Sequence, residues 1–251
     1  MKRQKNNTVR IAFAVVLAFW LIFIIVIIGV VKSLVGVSFA ENYISDNGRQ
    51  ILIKNVPYVS QEHILPTGCE SACAVMVLQY YGFDISLVDF SENYLDKQEV
   101  YYADDGKLHG PSPYEAFAGS PDDLQSYGCY APVIAKAVNK AVNDTDYNCL
   151  ITSGESLEQL VDEYVSENIP VLVWVTINMC EPNVGDSWYM QNGEMFVWQA
   201  GEHCMVLIGS DDNGYFLLDP YKTNGIVYYD KSLTQTRYAQ MSSQSVVLLE
   251  N

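Results

Sequence analysis

Cys69 stands at the head of a helical run in a chain with only three histidines, His63, His109 and His203. A thiol that attacks a carbonyl needs an imidazole to take its proton and hand it on, so nucleophilic acyl transfer is the chemistry these residue types can perform. Thr67-Gly68-Cys69-Glu70 has the form of a capping box, in which Thr67 accepts from the Glu70 N–H and the Glu70 side chain returns to Thr67. Cys69 then falls in the first turn. There, unpaired N–H groups and the positive end of the helix dipole favour a thiolate and offer a donor to an oxyanion. Taken alone, a cysteine at a helix start is more often a small core residue.

The choice of base is narrow. His63 lies in the connection before Cys69 and His109 in the polar loop Gly106 to Pro111, so both read as surface histidines with access to a cleft. His203 opens the apolar run Cys204 to Ile208, which turns at Asp211-Asp212-Asn213-Gly214 and returns to Asp219-Pro220. This is a hairpin with an ionisable residue at each open end. A two-residue Asn-Gly loop would put Asp219 on the face opposite His203. A three-residue loop, Asp211 to Asn213 with Asn213 left-handed, sets Asp219 across from Met205 and one diagonal from His203. The second register is expected, with the carboxylate bonding Nδ1–H and steadying the imidazolium. Gln61, eight residues before Cys69, has a side-chain amide suited to an oxyanion.

The elements that must hold these residues are legible in outline. Glu70 to Tyr81 has neither Gly nor Pro and is apolar almost all round, which predicts a buried helix stopped by Gly82. Further helices are expected over Ser86 to Leu95, Pro132 to Val142 and Ser156 to Asn168, the last with Ser156 and Gln159 in capping-box spacing. Strands are expected over Ile51 to Ser60, Pro170 to Ile177, His203 to Gly209, Tyr215 to Leu218, Ile226 to Tyr229 and Ser245 to Leu249. Helices early and strands late indicate an α+β fold. The irregular stretch Gln98 to Tyr130 reads as a functional loop or lid. With the insertion Asn178 to Ala200 it supplies Tyr127, Trp188 and Trp198 as candidate lining of a substrate cleft; ordinary core cover is the equal alternative.

Residues 1–10 are basic, and residues 11–31 form an uncharged stretch that at about 1.5 Å per residue spans a bilayer core. A transmembrane signal anchor with a cytoplasmic N-terminus is expected there, then a tether over 32–50 and one domain over 51–251. Ser38-Phe39-Ala40 also fits a cleavage site, which would release the domain. The first 32 residues hold five of the 14 basic residues and none of the 30 acidic ones. The rest is therefore strongly acidic, which disfavours nucleic acid and anionic lipid as partners. Six cysteines allow a bridge among Cys129, Cys149 and Cys180 if Cys69 stays free. No Cys-x-x-Cys pair is present, and neither a metal nor an organic cofactor is expected.

Pro66-Thr67-Gly68-Cys69-Glu70-Ser71-Ala72, the ending Tyr80-Tyr81-Gly82 and His203-x15-Asp219-Pro220 resemble the exported relatives of the bacteriocin-processing (double-glycine leader) peptidases. The resemblance extends through Glu115 to Pro121, Tyr127 to Pro132 and Ile169 to Leu172, and so covers roughly Ile51 to Leu249. It implies a papain-like cysteine peptidase fold, with a helical N-terminal lobe and an antiparallel C-terminal sheet carrying His and Asp. It also implies Cys69 as nucleophile, His203 as general base, Asp219 as its orienting group and Gln61 in the oxyanion hole. The chain has no ATP-binding P-loop and no multi-span region, so leader processing is not carried over with the resemblance. The reading is thus a thiol hydrolase acting on peptides or proteins outside the cytoplasmic membrane. The alternatives are an acyl transferase and a silent domain that binds peptide or cell-wall material.

Overall fold

The computed structural model describes residues 37–39, 50–222 and 225–251. The anchor expected over 11–31 and most of the tether lie outside them; among the described residues no helix is long and apolar enough to cross a membrane. The first part runs β1 (Val37–Phe39), β2 (Ile51–Leu52), β3 (Pro57–Val59), α1 (Cys69–Tyr80), α2 (Leu87–Asn93), the short strands β4 (Lys97–Gln98), β5 (Tyr101–Tyr102), β6 (Leu108–His109) and β7 (Phe117–Ala118), and α3 (Ala131–Ala141). The second runs β8 (Tyr147–Ile151), α4 (Leu157–Glu163), β9 (Val171–Thr176), β10 (Asn183–Tyr189), β11 (Met195–Ala200), β12 (Glu202–Ser210), β13 (Gly214–Leu218), β14 (Ile226–Asp230), α5 (Lys231–Gln240) and β15 (Ser245–Glu250). This is the expected α+β arrangement.

The principal sheet has the order β14-β13-β12-β9-β15-β8, with β2 added along β12. Every ladder in it is antiparallel. β9 and nearly all of β12 are buried, which is why both read as unbroken apolar runs rather than alternating ones. α1 packs on β12, β9 and β3, α3 on β8 and β15, and α5 on β9, β13 and β14. Every residue of α1 from Cys69 to Leu78 is buried, so this helix is itself core. It ends in a Schellman motif: Gly82, at φ +89°, donates to the Gln79 carbonyl at 3.0 Å, and Phe83 to the Leu78 carbonyl at 3.0 Å.

Several expectations are corrected. Ile51 to Ser60 forms two short strands, not one. Gln98 to Tyr130 is not structureless: β5 and β6 join the β10–β11 hairpin in a four-stranded sheet, and β4 pairs with β7. The helix after Ser156 is α4 followed by a 3₁₀ turn over Val165–Glu167, closed by left-handed Asn168. All six cysteines are free thiols, so no bridge links Cys129, Cys149 and Cys180.

Candidate active site

Cys69 is the first residue of α1, and its position depends on Gly68. A Cβ at Gly68 would lie 2.8 Å from Leu65 Cβ and 3.1 Å from Pro121 Cβ, so the chain entering the helix passes too close for a side chain. The expected capping box does not form. The helix starts at Gly68 without a side-chain cap, and the Thr67 hydroxyl donates to the carbonyls of Pro121 at 3.2 Å and Asp123 at 3.1 Å. Tertiary contacts have claimed Thr67, which frees the Glu70 side chain to turn inward.

β12 crosses beside that helix start. The Cys204 N–H donates to Cys69 Sγ at 3.4 Å, so the backbone just after His203 lies against the thiol. His203 Nε2 is 2.7 Å from Asp219 Oδ1, and both side chains are almost fully buried. Oδ1 also accepts from the Tyr221 N–H at 2.9 Å, which holds the carboxylate in place. The pairing was expected through Nδ1; it runs through Nε2, because the ring reaches Asp219 with its outer nitrogen.

The register at the open end is the expected one, but the turn that leads to it differs. Ser210 pairs with Tyr215, closing a loop of four residues, Asp211 to Gly214, and Asn213 is not left-handed. Asp211 Oδ1 accepts from the N–H groups of Asn213 and Gly214, a side-chain-stabilised turn. The ladder then shifts by one between Leu207 and Gly209, so that Val206 pairs with Leu218. This bulge returns Asp219 to the expected side.

Gln61 is buried, its N–H bonds to the Pro220 carbonyl at 3.0 Å, and its Nε2 donates to the Pro66 carbonyl at 2.8 Å. The amide still has a second N–H to give. His63 is exposed in a left-handed turn. His109 bonds Asp105 at 3.3 Å and stacks on Tyr101, beside a surface groove of about 320 Å³ that contains none of Cys69, His203, Asp219 and Gln61.

Trp188, with no exposed surface, donates to the Pro111 carbonyl at 2.7 Å, and Trp198 is 6% exposed. Both join Tyr127, Tyr130 and Phe196 in one aromatic cluster. The expected cleft lining is therefore corrected for Trp188, which is core. Tyr127 is half-buried and bonds Asp186 at 3.0 Å.

Two buried carboxyl groups beside Cys69 were not placed there by the sequence. Glu70 Oε2 accepts from Cys69 Sγ at 3.3 Å, while its Oε1 accepts from the Cys129 N–H at 2.7 Å. Glu202, next to His203, is 8% exposed, and its Oε1 has no hydrogen-bond partner among the described residues. Cys69 Sγ and one oxygen from each carboxyl lie within 4.8 Å of one another, a set able to hold a metal ion. Burial raises Glu202 well above the usual carboxyl range, and Glu70 adds to it; burial also raises Glu70, against the Cys129 N–H. Burial pushes the Cys69 thiol well above its ordinary value, the two carboxyl groups push the same way, and the Cys204 N–H opposes them. These influences act against the thiolate that the helix dipole favours.

A helix-borne thiol set against an antiparallel sheet with a buried His–Asp pair is the layout of a papain-like cysteine peptidase. The chain belongs to the Peptidase_C39 like family, whose pattern matches residues 53–246. It is similar to the uncharacterized protein YvpB of Bacillus subtilis, 26% identical over 184 residues that cover 73% of this chain and 70% of that one. Its fold matches a crystal structure described as a C39-like peptidase from Bacillus anthracis, with TM-score 0.69 and 24% identity over 81% of this chain and 98% of the other. A weaker likeness, TM-score 0.42 at 16% identity over 79% and 91% of the chains, is to a double glycine motif protease from an AMS/PCAT transporter in complex with the leader peptide.

Proposed function

We propose that this cysteine peptidase hydrolyses peptide or protein amide bonds outside the cytoplasmic membrane. Cys69 is the nucleophile, His203 the general base and acid, Asp219 the orienting group and Gln61 an oxyanion donor. The observation that carries the reading is the buried His203–Asp219 pair at 2.7 Å on the strand whose next N–H touches the Cys69 sulfur. With Nε2 held by Asp219, Nδ1 is the nitrogen that serves the thiol.

The cycle begins as the Cys69 proton passes to Nδ1 and sulfur bonds the substrate carbonyl carbon. The oxyanion takes hydrogen bonds from the Gln61 amide and the Cys69 N–H. The C–N bond then breaks as the imidazolium protonates the amine. Water, deprotonated by the imidazole, attacks the acyl-enzyme, and the C–S bond breaks to restore the thiol. The uncharged stretch over residues 11–31 and its basic flank support anchorage with the domain outward.

The test uses the full chain in detergent and a peptide vinyl sulfone, an irreversible thiol-directed probe, mapped by mass spectrometry. One adduct on Cys69, abolished by His203→Ala, is expected alongside hydrolysis of a peptide pool. A labelling rate at Cys69 indifferent to His203 would leave a silent binding domain; products joined to an added amine would indicate an acyl transferase.

A further inference from the structure

Buried carboxyl groups need a countercharge or a proton, and those without one are found coordinating metals. Among the described residues neither Glu70 nor Glu202 takes part in an ion pair. Glu202 Oε1 faces no donor, although 92% of its residue surface is covered, the complement of its 8% exposure. The neighbouring atoms are already oriented. The Cys129 N–H fixes Glu70 Oε1 at 2.7 Å, and the Cys204 N–H lies 3.4 Å from the sulfur.

We propose that Cys69, Glu70 and Glu202 form a binding site for a thiophilic divalent cation, Zn²⁺, that reversibly silences the nucleophile. One sulfur and two carboxylate oxygens suit Zn²⁺, which accepts mixed thiolate and carboxylate sets. Mg²⁺ and Ca²⁺ prefer oxygen alone. Zn–S of about 2.3 Å and Zn–O of about 2.0–2.2 Å place tetrahedral ligand atoms about 3.5 Å apart. Cys69 Sγ and Glu70 Oε2 already lie 3.3 Å apart, and with a Glu202 oxygen the set falls within 4.8 Å, so side-chain rotation closes what remains. On binding, the thiol proton and any proton that the two buried carboxyl groups hold leave to solvent, and the sulfur lone pair that attacks substrate is committed to the metal. Three protein ligands leave a fourth position for water, and His203 stays with Asp219 and is not a ligand. Only the silencing rests on Cys69 being the nucleophile; the binding does not.

The experiment titrates the metal-free full chain in detergent with Co²⁺, following the near-ultraviolet thiolate-to-cobalt band, and then displaces it with Zn²⁺. The expected result is saturation at one equivalent and loss of the band in Cys69→Ser. Zn²⁺ is expected to slow iodoacetamide labelling of Cys69 about tenfold or more, and EDTA to restore it. Even outer-sphere partners cost about 10–100-fold in metal affinity, so Glu202→Gln and Glu70→Gln should each weaken binding by at least about tenfold. His203→Ala should leave it unchanged. A band that survives Cys69→Ser, ignores both glutamine variants or vanishes in His203→Ala overturns the proposal. If one glutamine variant does not fold by circular dichroism, the other and the Cys69→Ser comparison decide. Absence of peptide hydrolysis in the metal-free chain with the band intact would instead sink the catalytic reading alone.

Discussion

Val206 pairs with Leu218 one step out of the register that Ser210 and Tyr215 set at the turn. Because side chains alternate across a strand, that single step decides whether Asp219 shares a face with His203. The 2.7 Å pair exists through it. Asp219→Asn keeps the shape but offers an amide that can donate to the ring and favour the wrong tautomer. The expected loss in kcat/KM is about 10²–10⁴-fold, the range of acid–base assistance, with the fold unchanged by circular dichroism.

Glu202 supplies a prediction about pH. Its ordinary value is 4.5, its folded value is raised well above that by burial and Glu70, and Glu70 is raised too. Above the ordinary value the unfolded chain releases protons that the folded chain keeps. Stability is therefore fully present at acid pH and falls as pH rises, until the folded groups also ionise. Glu202→Gln removes its share of that dependence. In thermal melts the variant should exceed the parent at neutral pH, with the gap closing towards acid. A gap independent of pH would contradict the raised carboxyl.

Gly128 is where the two carboxyl groups and an indole converge. A Cβ there would lie 2.7 Å from Glu70 Oε1, 3.1 Å from Glu202 Oε2 and 3.1 Å from Trp198 Cη2. Gly128→Ala should cost about 1–3 kcal/mol in urea denaturation, as overpacked sites do.

Trp188 tests the distinction between core and cleft. Its indole is enclosed, and a Cβ at Gly110 would come within 3.0 Å of its ring. Trp188→Ala should lose about 3–5 kcal/mol of stability. Well below the variant's melting point, KM for peptides should stay unchanged. A large rise in KM without loss of stability would return this residue to the substrate cleft.

Long, uniformly apolar segments were readable from sequence because their burial leaves one interpretation. α1, β9 and β12 fall within a residue or two of expectation, and the Ser156–Gln159 capping box forms as written. The same signature at Thr67 failed because the loop carrying Pro121 and Asp123, distant in sequence, takes its hydroxyl. β8 went unseen: an edge strand with one buried residue in five gives little pattern. α5 buries only Thr234 and Tyr238, so tertiary contact rather than periodicity defines it. Glu70 looked like a cap and Glu202 like a neighbour of the histidine. Only the crossing of α1 by β12 shows that their carboxyl groups meet, a relation no local window contains.

The Tyr58 hydroxyl donates to the Lys222 carbonyl and lies 3.4 Å from the Pro220 carbonyl, 162 positions along the chain. The Gln61 N–H bonds that same Pro220 carbonyl, so the approach to the nucleophile is sewn to the exit from the acid. Contacts of such long sequence separation are slow to form. On the proposed mechanism, a partly folded chain therefore carries an unarmed thiol: reactivity towards peptides begins only when the first and last thirds have closed on each other, and a newly made molecule is spared from digesting its neighbours.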